Sequence, residues 1–196
     1  MANKTGAWGL QSVKFAPLVS ITASTTSAFP TTWTEFEMKA IVKDSLQFND
    51  SAPSTNNIEI EDSDHYYAVL ESDAGTKGFT IDTYDMGEDA AKFFFGFTKD
   101  SDGYLTEDPN FKLQNHAVQI TTRATDEFAS HIFEFANVKL TVTKAGTIGK
   151  SGFPNIHIEG LLQAVFDAKG EELPTRRWKK DTTASSSNTG HTHTTS

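Results

Sequence analysis

The chain has 196 residues, 37% of them hydrophobic, which is enough to bury one domain's core and too little for two full domains. Its 26 acidic and 17 basic residues leave a net charge of −9, so the molecule as a whole repels a nucleic-acid backbone, and the lack of cysteine excludes a disulfide framework, a thiolate metal site and a cysteine nucleophile. No stretch approaches the roughly 18 apolar residues of a membrane span and the N-terminal Met-Ala-Asn-Lys-Thr-Gly lacks a signal-peptide core, so the expectation is a soluble product kept in the cytosol where it is made.

In chain order the pattern is mostly that of strands. Trp8 to Phe15 alternates weakly, as a first strand or an arm within residues 1–32. Trp33 to Val42 alternates more clearly, with Phe36, Met38, Ala40 and Val42 on one face and Glu35, Glu37 and Lys39 on the other. Residues 43–57 are dominated by Ser, Asn, Asp and Pro and are too long for a hairpin turn, which predicts a long inter-strand loop. Ile58 to Ile60 and Tyr66 to Leu70 read as short strands around an acidic turn.

From Gly78 to Phe97 the period changes. Phe79 to Tyr84 alternates as a half-buried strand. Asp85 then stands where an N-cap would, Glu88 and Asp89 supply first-turn negative charge, and Ala90, Ala91, Phe93, Phe94 and Phe97 follow at helical spacing, with Gly96 placed to end the helix. The prediction is one short aromatic helix plugging a sheet.

The second half returns to strands. Ala117 to Thr122 alternates, and Phe133 to Thr143 is the longest such run. Its apolar parity switches from odd (Phe133, Phe135) to even (Val138, Leu140, Val142), as one extra residue at Ala136-Asn137 would produce in a β-bulge. Ile156 to Phe166 places Ile156, Ile158, Leu162, Ala164 and Phe166 opposite His157, Glu159 and Gln163. Residues 182–196, mainly Ser, Thr, Asn and Gly, are expected to be a disordered tail behind a single domain spanning 1–181.

Motifs that carry chemistry are few. Ile148-Gly-Lys-Ser-Gly152 resembles the end of a phosphate loop, but Lys144 stands where that loop requires glycine and Pro154 blocks the following helix, so a turn is expected. Asp100-Ser-Asp102-Gly103 resembles part of a calcium loop whose first and twelfth positions would be Thr98 and Pro109, neither of which anchors the ion, so a solvated turn is expected there too. Glu59, Glu61, Asp62 and Asp64 beside His65 read as a charged strand edge entering a turn rather than a cation site, and His191 and His193 lie in the tail. No Gly-x-Ser-x-Gly elbow is present, and His65, His116, His131 and His157 read as ordinary strand and loop residues. The Arg176-Arg177-Trp178-Lys179-Lys180 cluster suits pairing with a neighbouring subunit's carboxylates, or marking the end of the fold, better than phosphate binding in so acidic a chain.

The order of a strand with an acidic turn (Ile58 to Asp64), a strand (Phe79 to Tyr84), a short helix ending at Gly96, and three more strands with an Ile-Gly-Lys-Ser-Gly turn resembles the tail tube proteins of long-tailed bacteriophages over Trp33 to Phe166. The resemblance implies a mainly β subunit, a β-sandwich or β-barrel with one flanking helix. It also implies six-membered rings stacked into the tube through which the genome passes, a design shared with contractile-tail inner tubes and the type VI secretion tube. It implies no catalysis, no cofactor and no bound metal. Partners would be further copies of the chain, tail initiator and terminator proteins and the tape-measure protein, with DNA passing through unbound, no membrane, and a location in the virion tail after assembly in the host cytoplasm.

Carried over by segment, the helix at Asp85 to Gly96 becomes the outer plug and the 43–57 loop the arm that reaches an adjacent ring. Leu46, Phe48, Asn49 and Asp50 are its contact candidates, with Arg176 and Arg177 as further inter-ring candidates. Glu35, Glu37 and Lys39, on the polar face of a strand, are the candidates for lining the lumen, where negative charge would keep DNA from binding; the alternative is that this face is outer solvent surface. A ring also solves the edge-strand problem, because each subunit's free edge meets its neighbour's. Competing readings are a monomeric β-barrel module for a ligand or carbohydrate, with Tyr66, Tyr67 and Tyr104 at loop tips; an acid/base enzyme using paired carboxylates, which no spacing recommends; and a terminator or hub of the same fold.

Overall fold

The structure is a computed structural model that describes Ala7 and residues 9–59, 61, 68–73, 75–148 and 153–181. It is mainly β with one helix. In chain order the strands before the helix are β1 (Leu10–Ala16), β2 (Phe36–Glu37), β3 (Gln47–Phe48), β4 (Ser54–Ile58), β5 (Ala68–Asp73) and β6 (Gly78–Thr83). The helix α1 (Glu88–Phe95) is followed by β7 (Thr98–Lys99), β8 (Leu105–Thr106), β9 (His116–Thr122), β10 (His131–Ala145), β11 (Asn155–Leu162), β12 (Val165–Phe166), β13 (Glu172–Leu173) and β14 (Arg176–Lys180).

The main sheet is antiparallel throughout, in the order β2-β1-β9-β10-β11-β6-β3, with β14 also on β10. Residues 36–42 touch both of its ends. Phe36 pairs with Phe15 and Met38 N–H donates to Val13 O on β1. A few residues on, Ile41 bridges Thr83, Val42 N–H donates to Asp82 O and Tyr84 N–H donates to Ala40 O on β6. One segment therefore joins both edges, and the sheet closes into a barrel, which leaves far less unpaired edge than an open sheet. The change of partner happens at Ala40, whose φ of 47° turns the chain. For that reason the alternation predicted through Val42 stops short: Phe36 and Met38 are buried, Ala40 is exposed and Val42 is half-buried.

Inward residues of every barrel strand form one core. Val13 and Phe15 of β1, Phe79 and Ile81 of β6, Val118 and Ile120 of β9, Phe135, Val138 and Leu140 of β10, and Ile156 and Ile158 of β11 are all buried. The parity switch in β10 is a bulge, since the four residues from Phe135 to Val138 oppose the three from Val118 to His116. The bulge splits β10 between neighbours: β9 and β14 flank its first part, and β11 pairs with Val138 to Ala145. It also turns Ala136 outward into a small second cluster with Ala28, Phe29, Val165 and Leu173, which anchors the long connection between β1 and β2. β11 ends at Leu162, so Phe166 lies exposed on the separate β12–β13 hairpin instead of continuing its face.

Helix α1 forms where the aromatic spacing predicts it, with Ala90 and Phe94 buried in the core. Asp85 does not cap it. The N-cap is Gly87, and Asp85 Oδ1 instead accepts from Gly87 N–H at 2.9 Å in a local turn before the helix. The C-terminus is as expected: Gly96 at φ 65° accepts no side chain, because a Cβ there would also meet Phe111 at 2.2 Å. Glu88 binds Lys92 at 2.6 Å and Lys99 at 2.7 Å, tying the first turn to β7, and these two ammonium groups hold its carboxyl down to about 2.

Residues 43–57 are more regular than a loop. The pairing of Phe48 with Phe79 continues in one register through Asn49 N–H to Gly78 O and Ser51 N–H to Thr76 O as far as Ser54 and Asp73. After a one-residue slip at Thr55 it runs on to Ile58 and Ala68. The segment is thus half of a two-stranded ribbon, rooted in the barrel at β3 and β6 and extending about 30 Å beyond Phe48 at strand rise. The chain approaches closest at Gly75, where a Cβ would stand 2.1 Å from Ser51 O. The 149–152 turn, the acidic residues Asp62 and Asp64 with His65, Tyr66 and Tyr67, and the 182–196 tail lie outside the described residues.

Candidate assembly surfaces

The outer barrel wall carries a polar row that strand register builds. Glu37, Lys14, Gln119, Glu134 and Arg177 are successive cross-strand partners on β2, β1, β9, β10 and β14. Lys14 Nζ lies 3.7 Å from Glu37, Gln119 Nε2 donates to Glu134 at 2.8 Å, and Arg177 Nε donates to the other oxygen of Glu134. Glu134 is buried beneath Arg177, whose guanidinium also stacks 4.1 Å over the Phe29 ring. Of this row only Glu37 and Arg177 stand out in the sequence as site candidates. Gln119 and Glu134 are single polar residues in apolar strands, and nothing local marks them as neighbours.

Glu35, Glu37 and Lys39 come together, as their alternation implies, but beside the helix. They line a groove of about 470 Å³ with Asp89, Lys92 and Phe93. Glu35 leans over the barrel end to lie 3.4 Å from Nε2 of the buried His116, against which Phe93 packs edge-on.

A second outer face lies on β6 and β11. Asp82 Oδ1 binds His157 Nδ1 at 2.6 Å, and Glu159 is 3.4 Å from Nε2, with Thr143 of β10 as the cross-strand neighbour of His157. The hydrogen bond that His157 donates to the Asp82 carboxylate raises the His157 pKa above its usual value, outweighing partial desolvation, with Glu159 adding a smaller contribution. A raised folded-state value means that the imidazolium stabilises the fold fully below about pH 6 and that this contribution is lost as pH rises through the raised pKa. In Asp82→Asn the loss of thermal stability relative to the parent should therefore be greater near pH 6 than near pH 8, and an NMR titration of His157 should move toward the free-histidine value. An unchanged titration would remove Asp82 as the cause.

The inter-ring candidates lie on and around β3 and on β14. Leu46 is half-buried against the core, and Phe48 is half-exposed with its ring 5.5 Å from Phe133 and 6.2 Å from Phe135. Asn49 donates to Thr80 at 3.4 Å. Asp50 binds Arg176 at 2.6 Å, so the two segments expected to reach a neighbour hold each other, and Arg177 is engaged with Glu134. Trp178, on the same strand, is 65% exposed and packs only along one side, on Phe133 and His131. Leu46 and Phe48 line a mouth of about 840 Å³ together with Leu10, Met38, Ile41 and Phe133, with Lys39, Lys43, Asp44 and Arg123 at its border.

Among the described residues no group of three or more His, Asp or Glu side chains is placed to hold a metal ion. Asp100 organises the β7–β8 turn by accepting from the Asp102 and Tyr104 N–H groups, which leaves Tyr104 exposed at its tip. Comparison with known proteins finds no family model that matches the chain and no curated sequence that matches it.

Proposed function

We propose that this chain is a structural subunit of the tail tube type, assembling with copies of itself into stacked rings around a channel for DNA, and that it has no catalytic role. The observation that carries this reading is the ribbon. A two-stranded hairpin has little stability alone in water, yet β4 and β5 pair with no other described strand and expose Ile58, Val69 and Leu70. Such an element keeps its shape at low cost when another molecule covers it. The barrel supports the reading by giving the ribbon a rigid root, and α1 supports it as the plug at one end.

The placement of charge bears on the lumen. If α1 is the outer plug, then Glu35, Glu37 and Lys39, which share its groove, also face outward. Asp82 and Glu159 on the β6–β11 face are then candidates to line the channel. Negative-stain electron microscopy with light scattering over a concentration series tests the proposal. Rings or tubes with a central channel are expected, and a monomer at every concentration would overturn self-assembly. The mouth of about 840 Å³ favours a second reading, a monomeric β-barrel module for a small ligand, which that monomer would bring forward. A terminator or hub of the same fold would form single rings that do not stack.

A further inference from the structure

We propose that Glu35 and His116 form a two-residue site for a divalent transition-metal ion of the zinc kind, beside α1 at the end of the barrel. Such a site would serve a tube subunit and a monomer alike, so it does not depend on the self-assembly reading.

The chemistry starts from one ring. His116 opens β9 with its side chain only 8% exposed. Its Nδ1 stands 2.8 Å from Gln114 O, and since a carbonyl can only accept, Nδ1 carries the proton. The tautomer is thereby fixed. In the neutral ring Nε2 is left with a lone pair, and it makes no hydrogen bond among the described residues. A main-chain carbonyl holding one ring nitrogen while the other offers its lone pair is the arrangement of a histidine metal ligand.

The second acceptor is already in place. Glu35 Oε2 lies 3.4 Å from Nε2, and a carboxylate and a neutral imidazole nitrogen, both acceptors, need a positive centre between them. Two ligands bound to zinc at about 2.1 Å in a tetrahedron stand about 3.4 Å apart, which is the edge this pair spans. His157 Nε2 and Glu159 are equally far apart, but on an open strand face with the glutamate 62% exposed, and the bond to Asp82 favours a proton on that ring instead.

Room and rigidity complete the site. The pair lines a cavity of about 690 Å³, large enough for the waters that would take the remaining positions. Phe93 packs on the imidazole with the ring centroids 4.9 Å apart, and Glu35 N–H donates to Phe15 O, so the ring and the Glu35 backbone are held before any ion arrives. Of the two lysines lining the cavity, Lys92 is neutralised by Glu88 at 2.6 Å, which leaves Lys112 as the charge opposing a cation. Glu35 directly precedes Phe36, where the segment that closes the barrel begins, so a bound ion would fasten that segment to β9.

Zinc chloride added to the chelator-washed full chain, followed by NMR of the histidine side chains, tests the site. His116 Nε2 should shift saturably while Nδ1 keeps its proton. Glu35→Gln keeps the size of a half-exposed side chain and should keep the fold, which circular dichroism checks. In that variant the zinc concentration needed to shift His116 should rise about tenfold or more. A His116 signal indifferent to zinc, with shifts confined to His157 or to His191 and His193, would overturn the site. An equal response of His116 in the parent and in Glu35→Gln would overturn it as well, since the carboxylate would then be no ligand.

Discussion

Phe94→Ala should cost about 3–5 kcal/mol of stability, the range for emptying a fully packed aromatic site. Phe94 is buried, and its ring meets Phe15 at 5.9 Å and Phe36 at 5.3 Å, both nearly edge-on, with Phe93 5.0 Å away. Phe36 is stacked on Phe93 at 4.5 Å, so four rings from β1, β2 and α1 form one unit. Little else holds the helix. It has eight residues, no side-chain N-cap and exposed ion pairs at Glu88, and so short a helix is not stable without tertiary contacts. Deleting the Phe94 ring removes the main reason for α1 to exist and uncovers the end of the barrel. Urea unfolding followed by far-ultraviolet circular dichroism measures the loss. Phe97→Ala, beyond the helix on a half-buried site, is the control and should cost clearly less. Equal losses would mean that α1 is held by something other than this ring cluster.

Why the helix was legible and its surroundings less so follows from where the information resides. Spacing of Ala90, Phe93 and Phe94, and a glycine able to take φ 65° at position 96, are local properties, so the sequence displays them. The bulge at Ala136-Asn137 is equally local, because one extra residue inverts every later side chain. The barrel closure is not local. It depends on Ala40 adopting a positive φ that its side chain does not advertise, and on Phe36 and Ile41 finding opposite ends of one sheet. The ribbon at 47–58 was obscured by its Asn, Ser and Thr content, which reads as a loop until β6 supplies a register to follow.

The surfaces show the same division. Asp82 and His157 are 75 residues apart in sequence and become a pair only through the β6–β11 register. β14 is exposed at all five residues, so Arg176 to Lys180 has no alternation to mark it as a strand. Its charges read as a cluster for a neighbouring subunit's carboxylates, whereas Arg176 and Arg177 pair within the chain, with Asp50 and Glu134. Asp50 and Glu134 come from segments far from position 176, and no periodicity connects them. The parts outside the barrel's closure are the ribbon and β14, joined through Asp50 and Arg176.

The ion pair of Arg177 with the buried Glu134 gives the last prediction its size. Arg177→Met should destabilise the protein by about 2–3 kcal/mol, less than for a fully buried ion pair because the guanidinium is half-exposed, but more than for a surface one. The reason is the partner left behind. Glu134 is buried with Gln119 as its remaining hydrogen-bond donor, so removing Arg177 strands a carboxylate in the barrel wall. The same substitution removes the stack on Phe29 and loosens the connection between β1 and β2, which Ala28 and Phe29 anchor. Glu134→Leu added to Arg177→Met should recover much of the loss, since the stranded charge is then gone and the leucine can pack. Arg176→Met, whose partner Asp50 is exposed, should cost under about 1 kcal/mol. A double-mutant cycle by chemical unfolding reads all of these directly. Additive losses at Glu134 and Arg177 would show that the polar row lies on the barrel without holding β14 to it, and the joint between β14 and the wall would have to rest on backbone pairing alone.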